Sequence, residues 1–365
     1  VSAITFIIIL AILVFVHELG HFLVAKLFGI RVDEFSIGFP PRLLKKQVGE
    51  TLYSINLIPF GGYVKIFGEN PDEESIAGPD SARSFVNKRK MIQVAVLVAG
   101  VVGNVAFAWM LVSFGNMFGM PTSVTPENSM YLRDAKVLIT AIAPGSPATA
   151  AGIKSGDAIL EARSGADVLP FTSITPESIQ DFISSHGEEK LTLSLGRGDE
   201  TVTIEAFPVT GIVEGRVALG ISMDHVGLQS LPIHKAFYRG AVSTIELTGS
   251  TATGLYNFVT QAFLGKAKFS DVSGPVGIAG MVGEAQSLGF SYLIYFTALI
   301  SINLAVINLV PFPALDGGRI LFVAIEAIRR KAIPPHVANM LNGIGFVLLI
   351  TLMLVVTYKD IAKLF

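Results

Sequence analysis

The chain has no cysteine. That excludes disulfides, iron–sulfur clusters and thiolate metal sites, so any bound metal must use His, Asp or Glu. Charge is also scarce: Asp, Glu, Lys and Arg make up 15% of the 365 residues, against about 25% in an ordinary soluble protein. The formal net charge is −2, which gives no basis for nucleic-acid binding. Where charge is missing, apolar residues stand: 51% of the chain is hydrophobic and its mean hydropathy is +0.60. Much of it is therefore expected in a lipid bilayer. A first residue of Val1 instead of Met points to a trimmed N-terminus or an unusual start codon.

A membrane-spanning helix needs about 20 mostly apolar residues. Four stretches meet that, at roughly 3–25, 93–118, 290–310 and 338–357. The first has the apolar length of a signal peptide, but no basic segment precedes Ile4–Val16 and no small-residue cleavage site follows. It reads as a retained helix. Basic residues near span ends mark cytoplasmic loops. The loop after the first span carries Lys26, Arg31, Arg42, Lys45, Lys46, Arg83, Lys88, Arg89 and Lys90; the loop between the third and fourth carries Arg319, Arg329, Arg330 and Lys331. Both are expected in the cytoplasm, with both termini and the segment 119–289 outside.

Segment 119–289 begins as a soluble domain. Val137–Leu138–Ile139 reads as a strand, Pro144–Gly145–Ser146–Pro147 as a turn and Ala148–Ile153 as a short helix. Gly156–Asp157 turns the chain into the strand Ala158–Leu160, residues 176–186 look helical, and Leu191–Leu195 and Val202–Ile204 alternate as strands. This run of motifs resembles a bacterial PDZ domain over roughly 130–210. The resemblance implies a small β-sandwich capped by helices (an α+β domain) able to hold peptide termini or strands; the other reading is a β-rich domain that serves only as a spacer. After it, 233–264 looks amphipathic, suited to the outer membrane interface or to packing on the preceding domain.

His17–Glu18–Leu19–Gly20–His21 is an H-E-x-x-H motif inside the first span. On a helix, residues i and i+4 share a face, so both imidazoles reach one zinc ion. Glu18 sits beside them, placed to take a proton from a water that zinc acidifies to a pKa of about 7. Ionisable groups in an apolar span are costly, at about 3 kcal/mol or more at the bilayer centre, which favours a functional role. A catalytic zinc takes a third protein ligand. The candidate is Asp316, in Asn308–Leu309–Val310–Pro311–Phe312–Pro313–Ala314–Leu315–Asp316–Gly317–Gly318. Two prolines disfavour a continuous helix there, and irregular backbone at membrane depth is tolerated where it is buried in protein or lines a cavity. The other reading of Asp316 is an N-cap for a helix starting near Gly318 or Arg319. His186, His225, His234 and His336 lack ligand spacing and read as surface residues.

The two motifs together resemble the site-2 protease family of intramembrane metalloproteases, peptidase family M50, across nearly the whole chain. The H-E-x-x-H falls in the first span, and the N-x-x-P-x-P-x-L-D-G form is read as part of the third. A PDZ domain between the second and third spans is similar to the bacterial branch that processes anti-sigma factors and signal-peptide remnants. The resemblance implies His17, His21 and Asp316 as ligands of one Zn2+ per chain and Glu18 as general base. It implies Asn308 as a substrate contact near the metal. Pro59–Gly62, after the apolar strand Tyr53–Ile58, reads as a hairpin turn; the resemblance makes this a membrane-reentrant β-hairpin at about 51–68 beside the active site, with Gly61, Gly62 and Tyr63 as substrate contacts, and the other reading is an ordinary cytoplasmic hairpin.

The expected fold is a multi-span α-helical membrane protein with four transmembrane helices, a reentrant hairpin and an inserted extracytoplasmic PDZ domain. Its expected divisions are 1–118, 119–228, 229–289 and 290–365. The expected partners are single-span membrane protein substrates, a peptide ligand of the PDZ domain and the lipid bilayer. The expected location is a bacterial cytoplasmic membrane, with the H-E-x-x-H near its cytoplasmic side. Gly100, Gly103 and Asn104 in the second span read mainly as helix-packing residues. Two other classes compete: a non-catalytic PDZ adaptor with a vestigial metal site, and a zinc transporter. Glu18 argues against the first, since a structural zinc needs no base. The near absence of ionisable residues in the second and fourth spans argues against the other.

Overall fold

The computed structural model describes residues 2–125, 130, 132–198, 200–213, 216–266 and 273–362; Val1 lies outside them. Helix α1 (Ser2–Leu27) leads into two long strands, β1 (Val32–Val48) and β2 (Thr51–Ile66), the short helix α2 (Glu73–Ala77) and helix α3 (Lys90–Phe118). Then come β3 (Met120–Ser123), β4 (Leu132–Ile142), α4 (Pro147–Ala150), β5 (Ala158–Ser164), β6 (Asp167–Pro170), α5 (Pro176–Ser185), β7 (Leu191–Arg197) and β8 (Glu200–Ala206). Strands β9 (Val209–Val213), β10 (Arg216–Ala218) and β11 (Ile221–Gln229) follow. Among the described residues the helices α6 (Ile233–Phe263), α7 (Pro275–Leu288), α8 (Phe290–Asn308), α9 (Asp316–Arg329) and α10 (Pro335–Ala362) come after them. Among the described residues α1, α3, α8 and α10 are long and apolar enough to cross a membrane, as the four apolar stretches lead one to expect.

The chain divides into two compact units. The first comprises Val1–Val112, Arg239–Gly283 and Phe296–Phe365. Its core joins α1, the two long strands and α3 through Ala25, Ile30, Val32, Phe35, Val64, Ile66, Val96 and Leu97, with Val323 of α9. Phe35 anchors the strands to α1, edge-on to Phe15 at 5.7 Å and Phe22 at 5.1 Å. The region is larger than the single hairpin read from the sequence. One turn lies at Gly49–Glu50, where Gly49 takes φ +61°, and residues 42–48 pair with 51–56. Residues 34–37 stand between 52–55 and 62–65, which run in opposite directions, so the chain turns back across Pro59–Gly62, with Gly61 at φ +115°. The two arms of that turn are not neighbours: 34–37 separates them, a long-range pairing that the glycines do not reveal.

Near the end of this unit Asp360 of α10 is buried and accepts the backbone N–H groups of Gly274 (2.8 Å) and Gly277 (2.9 Å) at the start of α7. A carboxylate at a helix N-terminus satisfies orphan donors and the positive end of the helix dipole. A Cβ at Gly274 would lie 2.8 Å from that carboxylate, so glycine at this position leaves room for Asp360.

The second unit comprises Ser113–Tyr238 and Glu284–Tyr295. Its sheet has the order β3-β11-β4-β5-β7-β8, with β6 paired to β5, and β9 and β10 form a separate ladder. The strands bury Val137, Ile139, Ile159, Leu191, Leu193, Leu195 and Ile204 against Ile179 and Ile183 of α5. Each fully buried Leu or Ile contributes roughly 1.5–3 kcal/mol. Helix α5 starts with a capping box, in which Thr175 and Ser178 each bond the other's backbone N–H, and with Pro176 at its first position.

Asp157 holds this unit's central turn. Its carboxylate accepts Lys154 N–H at 2.9 Å and a two-pronged contact from Arg197, Nε and Nη2 both at 2.7 Å. Asp157 is 1% exposed and Arg197 30%. Asp157→Ala leaves three donors short of an acceptor, and is expected to destabilise this unit by about 2–3 kcal/mol, less than a fully buried pair would lose because Arg197 regains water. Hydrogen exchange of the full-length protein in detergent should show faster exchange in β4, β5 and β7. Unchanged exchange there would mean the turn holds without the carboxylate.

Candidate metal centre

The centre lies in the first unit and begins with α1. A helical repeat of 3.6 residues stacks His17 and His21 on one face, where both are buried and their rings meet edge-on at 4.7 Å between centroids. Their Nε2 atoms are 3.2 Å apart. Asp316 completes a triangle: its Oδ2 lies 3.1 Å from His17 Nε2 and 3.3 Å from His21 Nε2. Among the described residues this is the one group of three or more His, Asp and Glu side chains close enough to share a metal ion.

The donor set fits zinc. Ligand atoms at about 2.0–2.2 Å from a tetrahedral zinc stand about 3.3 Å from one another. The three separations here, 3.1, 3.2 and 3.3 Å, match three corners of such a tetrahedron. Three protein ligands leave the fourth corner for a reacting group, the pattern of a catalytic site.

Asp316 comes to the histidines from 299 residues away in sequence from His17, by a device the sequence half discloses. Helix α8 ends at Asn308, so Asp316 lies beyond the third span and not within it. Residues 309–315 form a non-helical bend, as Pro311 and Pro313 require, and Asp316 then opens α9. Leu315 occupies the N-cap position without a side-chain cap bond. Asp316 is thus the first residue of α9, and the N-cap reading of it does not hold. Its carboxylate sits at the positive end of the α9 dipole. Gly317 and Gly318 make the fold-back sterically open: Cβ atoms there would lie 2.3 Å from Val310 O and 2.2 Å from Phe312 O. On the far side Gly345 of α10 packs on Pro313, where a Cβ would stand 2.4 Å from the carbonyl oxygen. Arg319, one turn along α9, pairs with Glu69.

Helix α3 forms the wall behind the histidines. Val96 O accepts from Nδ1 of His21 at 2.8 Å. Asn104, fully buried, places its side-chain amide 3.3 Å from Nδ1 of His17. The approach is close because both helices carry glycine at the crossing: a Cβ on Gly20 would lie 2.3 Å from Ala99 O, and a Cβ on Gly100 only 2.5 Å from His21 Nε2 and 2.7 Å from His17 Cε1. Glu18 points to β2, where its Oε2 accepts the N–H of Val64 at 3.0 Å. Asn308, the last residue of α8, lies with Nδ2 3.5 Å from His17 Nε2.

Of the residues singled out in 61–63, Gly61 touches α1, its Cβ position being 3.3 Å from Val14. Gly62 and Tyr63 lie opposite Ile37 and Ser36, and Tyr63 stacks on Phe39 at 6.2 Å. The residue that reaches Glu18 is Val64, which no sequence motif marks; the same holds for Val96, acting through its carbonyl, and for the contact role of Gly100. A backbone group leaves no mark in a side-chain motif, although the small-residue spacing Gly100–Gly103 does signal a close crossing. His234 and His336 are exposed as expected, while His186 and His225 are half-buried, His186 bonding Phe182 O (2.8 Å) and Asp167 (3.2 Å).

Comparison with known proteins gives concordant results. The sequence profile of peptidase family M50 matches residues 5–352. A Clostridium perfringens protein whose name places it among zinc metalloproteases is 35% identical, over 96% of this chain and 95% of its own length. The zinc metalloprotease RasP of Geobacillus kaustophilus is 33% identical, over 100% of this chain and 98% of its own. Its namesake in Oceanobacillus iheyensis is 31% identical, over 100% and 99%.

Proposed function

Since the chain belongs to peptidase family M50, we propose that it is a zinc-dependent intramembrane protease, cutting other membrane proteins within or next to their transmembrane segments. The observation that carries this reading is the triangle of His17, His21 and Asp316 donor atoms with Glu18 one residue along the same apolar helix. When bound, zinc supplies the Lewis acidity that activates water near neutral pH and polarises the scissile carbonyl. His17, His21 and Asp316 would hold it. Glu18 takes a proton from the attacking water and delivers it to the leaving amine. Asn308, beside His17, is placed to bind substrate at the metal.

A helical substrate hides its amides in hydrogen bonds, so it must unwind before it is cut. Strand addition to a sheet edge captures an extended segment, and residues 62–66 of β2, which reach Glu18 at Val64, are the edge we assign to that task, with Gly61, Gly62 and Tyr63 beside it. The substrates are single-span membrane proteins, of the kind processed in regulated intramembrane proteolysis, such as anti-sigma factors or signal-peptide remnants. We read the basic loops 26–90 and 319–331 as cytoplasmic, with the metal centre toward the cytoplasmic side of a bacterial cytoplasmic membrane and the segment 119–228 outside it; the clustering of Lys and Arg in those loops supports this reading. We read that segment as a PDZ domain. A groove of about 160 Å³ between α5 and the start of β11, lined by Gln180, Ile183, Leu219, Ile221 and Met223, supports a peptide ligand there.

The test uses purified full-length protein in detergent. One zinc per chain by elemental analysis and cleavage of a single-span substrate are expected. Stripping the zinc with a chelator should abolish cleavage, and returning it should restore the rate. A preparation that folds and binds no zinc would leave the adaptor reading in place of the protease.

A further inference from the structure

The two histidines have to meet one chemical condition. To ligate through Nε2, a neutral imidazole must carry its proton on Nδ1, and that proton needs an acceptor when buried. For His21 the condition is met by the backbone, Nδ1 lying 2.8 Å from Val96 O. For His17 the partner at Nδ1 is the Asn104 amide, whose Nδ2 stands at 3.3 Å. An NH2 group facing Nδ1 would donate to a lone pair there and force the ring proton onto Nε2, where the metal has to bind. No hydrogen bond holds the Asn104 carbonyl oxygen in its present place, so rotating the amide by half a turn breaks no bond of that oxygen and brings it to His17.

We propose that Asn104 is a positioning residue for the metal, its side-chain oxygen accepting the Nδ1 proton of His17 and fixing the tautomer that binds zinc through Nε2. Three features keep it there. Asn104 is fully buried. Ser301 of α8 donates its hydroxyl to the Asn104 backbone oxygen at 2.8 Å, which pins α3 at this position to the helix that leads toward Asp316. Gly103, next to it, lets α3 come so near that a Cβ there would stand 3.0 Å from Val16 O. In the zinc-bound centre α3 therefore serves both histidines, His21 with a backbone carbonyl and His17 with an amide oxygen.

The proposal rests on zinc binding at His17, His21 and Asp316, and the experiment separates the two. Zinc affinity is measured by chelator competition for wild type, Asn104→Leu and Asn104→Asp, with thermal unfolding of each zinc-free protein recorded alongside. Leucine fills similar volume and accepts nothing; aspartate can accept but, ionised, cannot donate. Asn104→Leu is expected to bind zinc about 10–100-fold more weakly, and Asn104→Asp within tenfold of wild type. Wild-type affinity in Asn104→Leu would overturn the proposal. So would Asn104→Asp losing as much as Asn104→Leu, since an acceptor would then not be what His17 needs. Should Asn104→Leu not fold, Asn104→Asp decides alone: retained affinity supports the acceptor role, and a loss beyond tenfold overturns it. Failure of both to fold would also overturn it, because packing and not the acceptor would then be the requirement. No zinc in wild type would instead remove the protease reading itself.

Discussion

Glu18→Gln is expected to lower the rate of substrate cleavage by about 10²–10⁴-fold or more while the protein still binds one zinc per chain. Glutamine has the shape of glutamate, and its amide oxygen can still accept the Val64 N–H that holds Glu18 at 3.0 Å. It cannot take a proton. The His17, His21 and Asp316 donor atoms, 3.1–3.3 Å apart, are untouched by the change. Metal content and rate should therefore separate, one intact and the other nearly lost. Elemental analysis and initial rates on one preparation check this together. Cleavage at the wild-type rate would assign the base to another group, and parallel loss of zinc would mean that Glu18 supports the ligands instead of the chemistry.

Much of this centre is legible in the amino-acid sequence, for a physical reason. His17, Glu18 and His21 owe their geometry to a single helix, and a helix is a local object whose faces follow from spacing alone. The four long apolar helices are legible for the same reason: bilayer thickness sets a length that composition reveals. The third donor of the triangle is legible only as a candidate, because Asp316 reaches the histidines through a bend whose path depends on Gly317, Gly318 and Gly345 closing on carbonyl oxygens. Pro311 and Pro313 say that the helix must break. They do not say that α8 ends at Asn308 or that Asp316 begins a new helix. Strand pairing is the least legible. Strand β11, last of its unit in sequence, lies between β3 and β4 in the sheet, and such a register rests on long-range contacts that no local pattern encodes. The turn at Pro59–Gly62 is legible from its glycines, but the insertion of residues 34–37 between its two arms is hidden likewise.

The wall behind the histidines yields the other large effect. Gly100→Ala adds one methyl group, and on an open helix face the change from glycine to alanine is favourable by about 0.8–1.0 kcal/mol. At Gly100 that methyl would stand 2.5 Å from His21 Nε2 and 2.7 Å from His17 Cε1. One side or the other must move. The rings have little freedom, as His21 is tied to Val96 O and His17 lies against Asn104. Shifting α3 instead would draw both of those partners away. Either response spreads a triangle of donor atoms that now fits one zinc, so zinc affinity should fall by about 100-fold or more, beyond a single supporting contact, and cleavage should fall with it. Gly343→Ala is the matched control: it also lies in an apolar helix, α10, but nothing stands within 4 Å of its Cβ position. That variant should bind zinc like wild type and melt at the same temperature or slightly higher. If Gly100→Ala also keeps its zinc, the histidines can be displaced without cost and the close crossing of α1 and α3 does not set the metal geometry. If it loses zinc while its metal-free form unfolds like the metal-free wild type, the glycine is there for the site and not for the fold.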